Sequence, residues 1–403
     1  MATLYVVLPY AIFVIYRAVI SGNPETGFII GLLGLAVLGS LLIELPIAIA
    51  AGPIALPTAY ASPDEDRLGS VAKWVASFSA LSGIAFALSG GGQIFTQVSG
   101  IIPAGSVASV ASLFDGWKFA AVALLMYAHL TGRVSRKTMF LWIGMLSAAQ
   151  LFIAYVTAIT APLAEFAIST LLLGFCIGIF GLRLLLCSVV AAMLVWPIVF
   201  DVRNDLRVAG GVAVSSTTAE DRINFDRQVA AAKPFPGPTD VGQLGPVEVM
   251  RYGLVPRMLD SDRPALSTGT LINVYLGGSS RSAYTFLSLG TLYFLYGVWF
   301  IPIYYACVAL IVQVLLRARG RMGPMRLAIL GATLAGPLGW SSTFPDTWAG
   351  YLQSLVSLLP LFLLTRWAMR SGSRRKGQQE TRLTYKEASV RAYVSEPLRS
   401  QEK

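Results

Sequence analysis

The stretch from Gly27 to Pro57, GFIIGLLGLAVLGSLLIELPIAIAAGPIALP, decides how the rest of the chain is read. Between Gly27 and Ile43 no side chain is charged and only Ser40 is polar. A helix needs about 20 such residues to cross the hydrocarbon core of a bilayer. In that medium a backbone satisfies its own polar groups only as a helix or a closed barrel. The stretch is too long for one straight span. Glu44, Pro46, Gly52, Pro53 and Pro57 predict that its second half kinks or breaks, because proline removes a helical hydrogen bond and crowds the preceding turn.

Outward from it, apolar segments predict helices over 3–20, 71–97, 106–130, 138–160, 163–181, 183–200, 284–316, 325–344 and 348–369. With 27–57 these make about ten, provided the run 163–200 splits at Gly181-Leu182-Arg183. The composition agrees: 55% of residues are hydrophobic and 13% charged, against about 25% charged in a soluble domain. The sequence therefore predicts an all-α polytopic membrane protein. Cys176, Cys187 and Cys307 all lie in apolar segments, which fits buried thiols rather than a disulfide framework or a zinc site. The first helix lacks a basic leader and a small-residue cleavage site, so it reads as a retained span. The formal net charge of +10 does not point to nucleic acid, because the basic residues flank apolar segments as juxtamembrane charges do.

Lysine and arginine set the orientation. The linker 131–137 carries Arg133, Arg136 and Lys137, and 317–326 carries Arg317, Arg319, Arg321 and Arg326, both without an acid. From Arg366 onward ten basic residues face four acids. A ten-helix count puts all three on one side, the cytoplasm, with both termini. The expected plan is seven helices in 1–200, an extracytoplasmic loop at 201–283, three helices in 284–369 and a basic cytoplasmic tail at 370–403, in the inner membrane of a bacterium.

The loop holds eight arginines (Arg203, Arg207, Arg222, Arg227, Arg251, Arg257, Arg263, Arg281), one lysine (Lys233) and nine acids. Its net charge is near zero, so any anion binding must come from placed arginines, whose planar forks grip phosphate bidentately. Thr218–Ala232 and 246–259 predict two short helices, joined by a stiff proline-rich connection.

Two parts of this region resemble the Wzy-type bacterial oligosaccharide repeat-unit polymerases, which are GT-C-like membrane glycosyltransferases. One is Trp196-Pro197-Ile198-Val199-Phe200-Asp201-Val202-Arg203-Asn204, a helix end that offers an arginine to the outer face. The other is Val255-Pro256-Arg257-Met258-Leu259 followed by Asp262-Arg263-Pro264. At the re-entry, Thr291 stands where many relatives carry an acid, and Leu295-Tyr296-Gly297 replaces their Asn-Phe-Gly. The resemblance implies transfer of a growing glycan from a polyprenyl-diphosphate carrier to a lipid-linked oligosaccharide, without cofactor or metal. A flippase and a chain-length regulator are its implied partners, besides the bilayer. Arg203, Arg207, Arg263, Arg281 and Tyr284 are the expected substrate contacts, and Asp260 and Arg257 the expected catalytic pair.

Two alternatives stay open. An O-antigen ligase shares the membrane logic, although the outer loop lacks the histidine of those relatives. A transporter or flippase would prefer broken polar helices and short loops. Elsewhere, Glu44 is the deepest acid, whereas Asp115, Lys118 and Glu165 read as interfacial. Gly90-Gly91-Gly92 reads as a packing or non-helical element and His129 as an interfacial residue.

Overall fold

Apolar runs become helices wherever they are described. The computed structural model describes residues 2–51, 67–89, 114–209, 224–241, 245–255, 259–260, 268–278, 284–317, 322–340 and 344–367. All regular elements among them are helical. In chain order these are α1 (Ala2–Ile20), α2 (Thr26–Ala51), α3 (Leu68–Leu88), α4 (Trp117–Leu130), α5 (Arg136–Thr157), α6 (Ala161–Cys176) and α7 (Leu182–Ala209). Three short helices follow, α8 (Phe225–Ala230), α9 (Pro246–Leu254) and α10 (Thr268–Tyr275). The last four are α11 (Leu287–Tyr296), α12 (Phe300–Arg317), α13 (Pro324–Ala335) and α14 (Asp346–Trp367). Six of them, α1, α2, α3, α5, α12 and α14, are long and apolar enough to cross a membrane. The glycine triplet at 90–92, Thr218 at the start of the predicted loop helix and the basic tail from 370 lie outside the described residues.

The packing separates the helices by role. Helix α4 is the central post: from Ala120 to Ala128 every side chain is buried. It is apolar all round, as a helix enclosed by others must be. Helices α2 and α12 pack closely, with Gly39 facing the backbone of Pro302 where no Cβ would fit. In contrast, α7 is bare along much of its length, exposing Leu186, Val190, Leu194 and Ile198.

The bundle has two chemically distinct ends. At one, Arg67 lies over the Trp367 ring at 5.5 Å, Gly69 faces the Arg133 backbone, and Arg326 donates to the Leu315 carbonyl. At the other, the turn between α1 and α2 meets the loop: Asn23 donates to the buried Asp226 of α8 at 2.7 Å, and Lys233 pairs with Glu25. The basic linkers thus share one end, and the described parts of the 201–283 region share the other.

Three expectations are corrected. The predicted span 284–316 is two helices, broken at Gly297, whose φ of 84° suits glycine. Helix α11 begins beside Tyr10, half-way along α1, and ends against the loop, where Gly237 and Thr239 donate to the carbonyls of Tyr293 and Leu295. It therefore occupies only the half of the bundle nearest the loop. Helix α2 stays helical through Pro46 to Ala51, and Gly52, Pro53 and Pro57 of that predicted stretch lie outside the described residues. Helix α7 does not stop at Phe200 but runs on to Ala209, because Asp201, Arg203, Asn204 and Asp205 leave the apolar zone without losing helical hydrogen bonding.

Candidate functional site

Where the loop meets the bundle, the helices part around a cavity of about 650 Å³. Four helices of eight or more residues begin at its wall. Helix α4 contributes Lys118 beside Asp115, α6 Pro162 and Glu165, α11 Leu287, and α14 Asp346 and Thr347. Each helix start carries roughly half a positive charge and turns backbone N–H groups toward anions. The final turns of α7 add Phe200, Arg203 and Arg207, spaced three and four apart and hence on one helical face.

The charged side chains differ in how far they are engaged. Lys118 is buried and donates to Asp115 at 2.8 Å, using one of its three N–H groups. Asp346 accepts from the backbone N–H and the hydroxyl of Thr268 at 2.7 and 2.8 Å, which fastens α10 to α14. Arg207 reaches the carbonyl of Ala158 at the end of α5, and Arg203 lies 5.6 Å from the centre of the Phe200 ring. Glu165 lines the cavity without a hydrogen-bond partner among the described residues, and the charges acting on it are those of Lys118 and Asp115. The arrangement offers cations and helix starts to an anion, and a carboxylate to a hydroxyl.

Aromatic rings divide this cavity from apolar space below. An apolar groove of about 510 Å³ runs between α1, α5, α6 and α7, and shares Ala164, Phe225 and Trp340 with the polar cavity. Trp340 stacks on Phe13 at 5.3 Å and receives Phe225 edge-on at 4.7 Å. Phe225 is held by its neighbour Asp226, which is anchored to Asn23 and lies 3.9 Å from Arg17. A second apolar groove, about 440 Å³, lies between α5 and the end of α7 and shares Thr160 and Arg203 with the cavity. At the cavity wall Leu287 adopts φ 57°, a conformation costly for a branched residue and typical of sites where structure is over-determined.

Of the residues expected from sequence, Arg203 and Arg207 reach this cavity. Tyr284 packs edge-on against Phe286 at 5.3 Å, in a small cluster under α10. Asp260 is buried and accepts from Arg251 with both oxygens, at 2.9 and 2.6 Å. It is not among the residues lining the cavity. Arg257, Arg263 and Arg281, with Pro256, Asp262 and Pro264, lie outside the described residues. Sequence reasoning passed over Lys118, Glu165 and Asp346 as site residues. The signal for the first was the i, i+3 pair Asp115/Lys118 at the start of an apolar helix; for Glu165 and Asp346 only their position at helix starts was available.

No protein-family model, curated protein or solved structure matches this chain.

Proposed function

We propose that this chain is a membrane glycan polymerase. It transfers a growing glycan from a polyprenyl-diphosphate carrier to a lipid-linked oligosaccharide at the membrane face that carries the 201–283 loop. Ten passes place both ends and the basic linkers in the cytoplasm, by the positive-inside preference, and α11 is an additional half-helix that does not cross. The observation that carries this reading is the polar cavity with arginines, a buried lysine and four helix starts, set directly against an apolar groove that shares Ala164, Phe225 and Trp340 as walls. That combination suits an anionic headgroup on a hydrocarbon chain.

The chemistry follows from the side chains. An acceptor hydroxyl oxygen bonds to the anomeric carbon of the donor. The bond from that carbon to the diphosphate breaks, and its electron pair leaves with the diphosphate. Arg203, Arg207 and Lys118 stabilise the charge that develops there, a contribution worth roughly 100- to 1,000-fold per donor in comparable sites. The hydroxyl proton passes to Glu165, whose carboxylate is not engaged by another donor. In this reading Asp260 is held by Arg251 and serves the loop rather than the reaction.

The test is the purified protein in proteoliposomes with a defined lipid-diphosphate-linked oligosaccharide. Elongated product supports the polymerase. Transfer to a lipid core acceptor would make it a ligase, and translocation without new bonds would make it a flippase.

A further inference from the structure

Helix α9 turns apolar side chains outward although it belongs to the polar loop. Val247, Met250 and Leu254 stand at i, i+3 and i+7, hence on one helical face, and all three are exposed, Val247 at 76%. Glu248 and Arg251 form a polar edge beside them. The other side is packed. Val249 and Tyr252 are buried, and Gly253 meets Leu352 of α14 so closely that no Cβ would fit. The Gln353 amide donates to the Tyr252 carbonyl at 2.8 Å. Arg251 donates to both oxygens of Asp260, which keeps the exposed Leu259 next to the helix. A well-fastened helix thus presents four large apolar residues outward, and a contiguous apolar patch of this kind marks a partner or a membrane.

The place of α9 along α14 says what covers that face. Leu352 follows Asp346 by six residues, so the contact lies about 9 Å below the start of α14 at about 1.5 Å per residue. Leu359 and Leu363 come seven and eleven residues after Leu352, on the same face of α14, and are 60% and 65% exposed. On a helix able to cross a membrane, such a face meets hydrocarbon. Helix α9 therefore sits at the loop-side end of a lipid-facing stripe, not on top of the bundle. An interfacial helix buries its apolar side by about 5–10 Å, which matches the depth of Leu352. We propose that α9 anchors the 201–283 loop in the bilayer: Val247, Met250, Leu254 and Leu259 lie among the acyl chains of the loop-side leaflet, with Glu248 and Arg251 at the headgroups. Arg251 is paired with Asp260, so the occupant is phospholipid hydrocarbon and not an anionic headgroup. Through Gly253 and Gln353 the anchor braces α14, whose Asp346 and Thr347 line the polar cavity. None of this depends on the polymerase reading.

Spin labels on Val247→Cys, Glu248→Cys, Met250→Cys and Leu254→Cys, one at a time in the full chain in phosphatidylcholine nanodiscs, measure the depth directly. Cys176, Cys187 and Cys307 are replaced by alanine for this purpose. Labels at 247, 250 and 254 are expected to collide more with oxygen, which concentrates in hydrocarbon, than with a water-soluble nickel chelate. The label at 248 is expected to show the reverse order. Phosphatidylglycerol nanodiscs should give the same pattern. Met250→Asp combined with Leu254→Asp should lift the helix and reverse the order at 247. With the native cysteines kept, p-benzoylphenylalanine in place of Met250 should crosslink to phospholipid. Nickel-favoured collisions at 247, 250 and 254, labels reached by neither reagent, a pattern seen only with phosphatidylglycerol, or adducts to a second copy instead of lipid would overturn the proposal.

Discussion

Glu44 and Glu165 are both glutamates set in apolar helices, at opposite ends of the same bundle, and their surroundings differ completely. Glu44 accepts from the backbone N–H groups of Ala2 and Thr3, from the Thr3 hydroxyl at 2.7 Å and from Gln313 at 3.0 Å. Gln313 in turn accepts from Arg317. That carboxylate ties α1, α2 and α12 together. Glu165 has no such donors among the described residues and faces a cavity. An acid within a bundle is costly unless it is satisfied or used; Glu44 is satisfied, and the proposed reaction gives Glu165 its use.

The contrast breaks most visibly at Glu165. Glu165→Gln is expected to lower product formation about 100- to 10,000-fold, the range for a positioned general base, while the melting temperature stays where it was. Turnover near the parental rate would remove Glu165 from the chemistry. Arg203→Ala comes next, with an expected loss of about 100- to 1,000-fold. Arg203→Lys should recover part of it, because lysine keeps the charge but not the fork. Equal activity of the alanine and lysine variants would show that charge at 203 does not matter.

Glu44→Leu should do the reverse. It strands several buried donors, each worth about 1–3 kcal/mol when unpaired, so thermal stability should fall sharply while turnover per folded molecule is kept. Glu44→Gln retains an acceptor and should fall less. A stable but inactive Glu44→Leu would move Glu44 into the site. The smallest effect is expected at Asp260→Asn. Its partner Arg251 is 55% exposed, so the pair is worth no more than about 1 kcal/mol, and activity should change little. A hundredfold loss there would return the base to the loop.

Hydropathy made most of the helices legible, because a membrane span is a local property of some 20 residues. Thr26–Ala51, Arg136–Thr157 and Phe300–Arg317 lie within or beside the predicted segments. The break at Gly297 was harder to see, since Leu295-Tyr296 and Trp299-Phe300 are equally apolar on both sides of it. The site was half legible. Phe200, Arg203 and Arg207 form one face of a single helix and could be found by spacing alone. Glu165 and Lys118 are 47 positions apart in the sequence and meet only when α4 and α6 pack. An acid at a helix start looks interfacial from sequence whether it faces water, lipid headgroups or a cavity.

One atom has a consequence for how the chain is made. The carbonyl oxygen of Trp340 accepts from the Tyr10 hydroxyl, the Ser288 hydroxyl and the Ser288 backbone N–H. Tyr10 and Trp340 are separated by 330 positions. At a synthesis rate of about 5–20 residues per second, the first helix waits roughly 20 to 60 s before this partner exists. During that interval α1 sits in the bilayer with its tyrosine unmatched by its final acceptor. The cavity is therefore closed late, by the earliest part of the chain and by Trp340 and α14, which follow it by more than 300 positions.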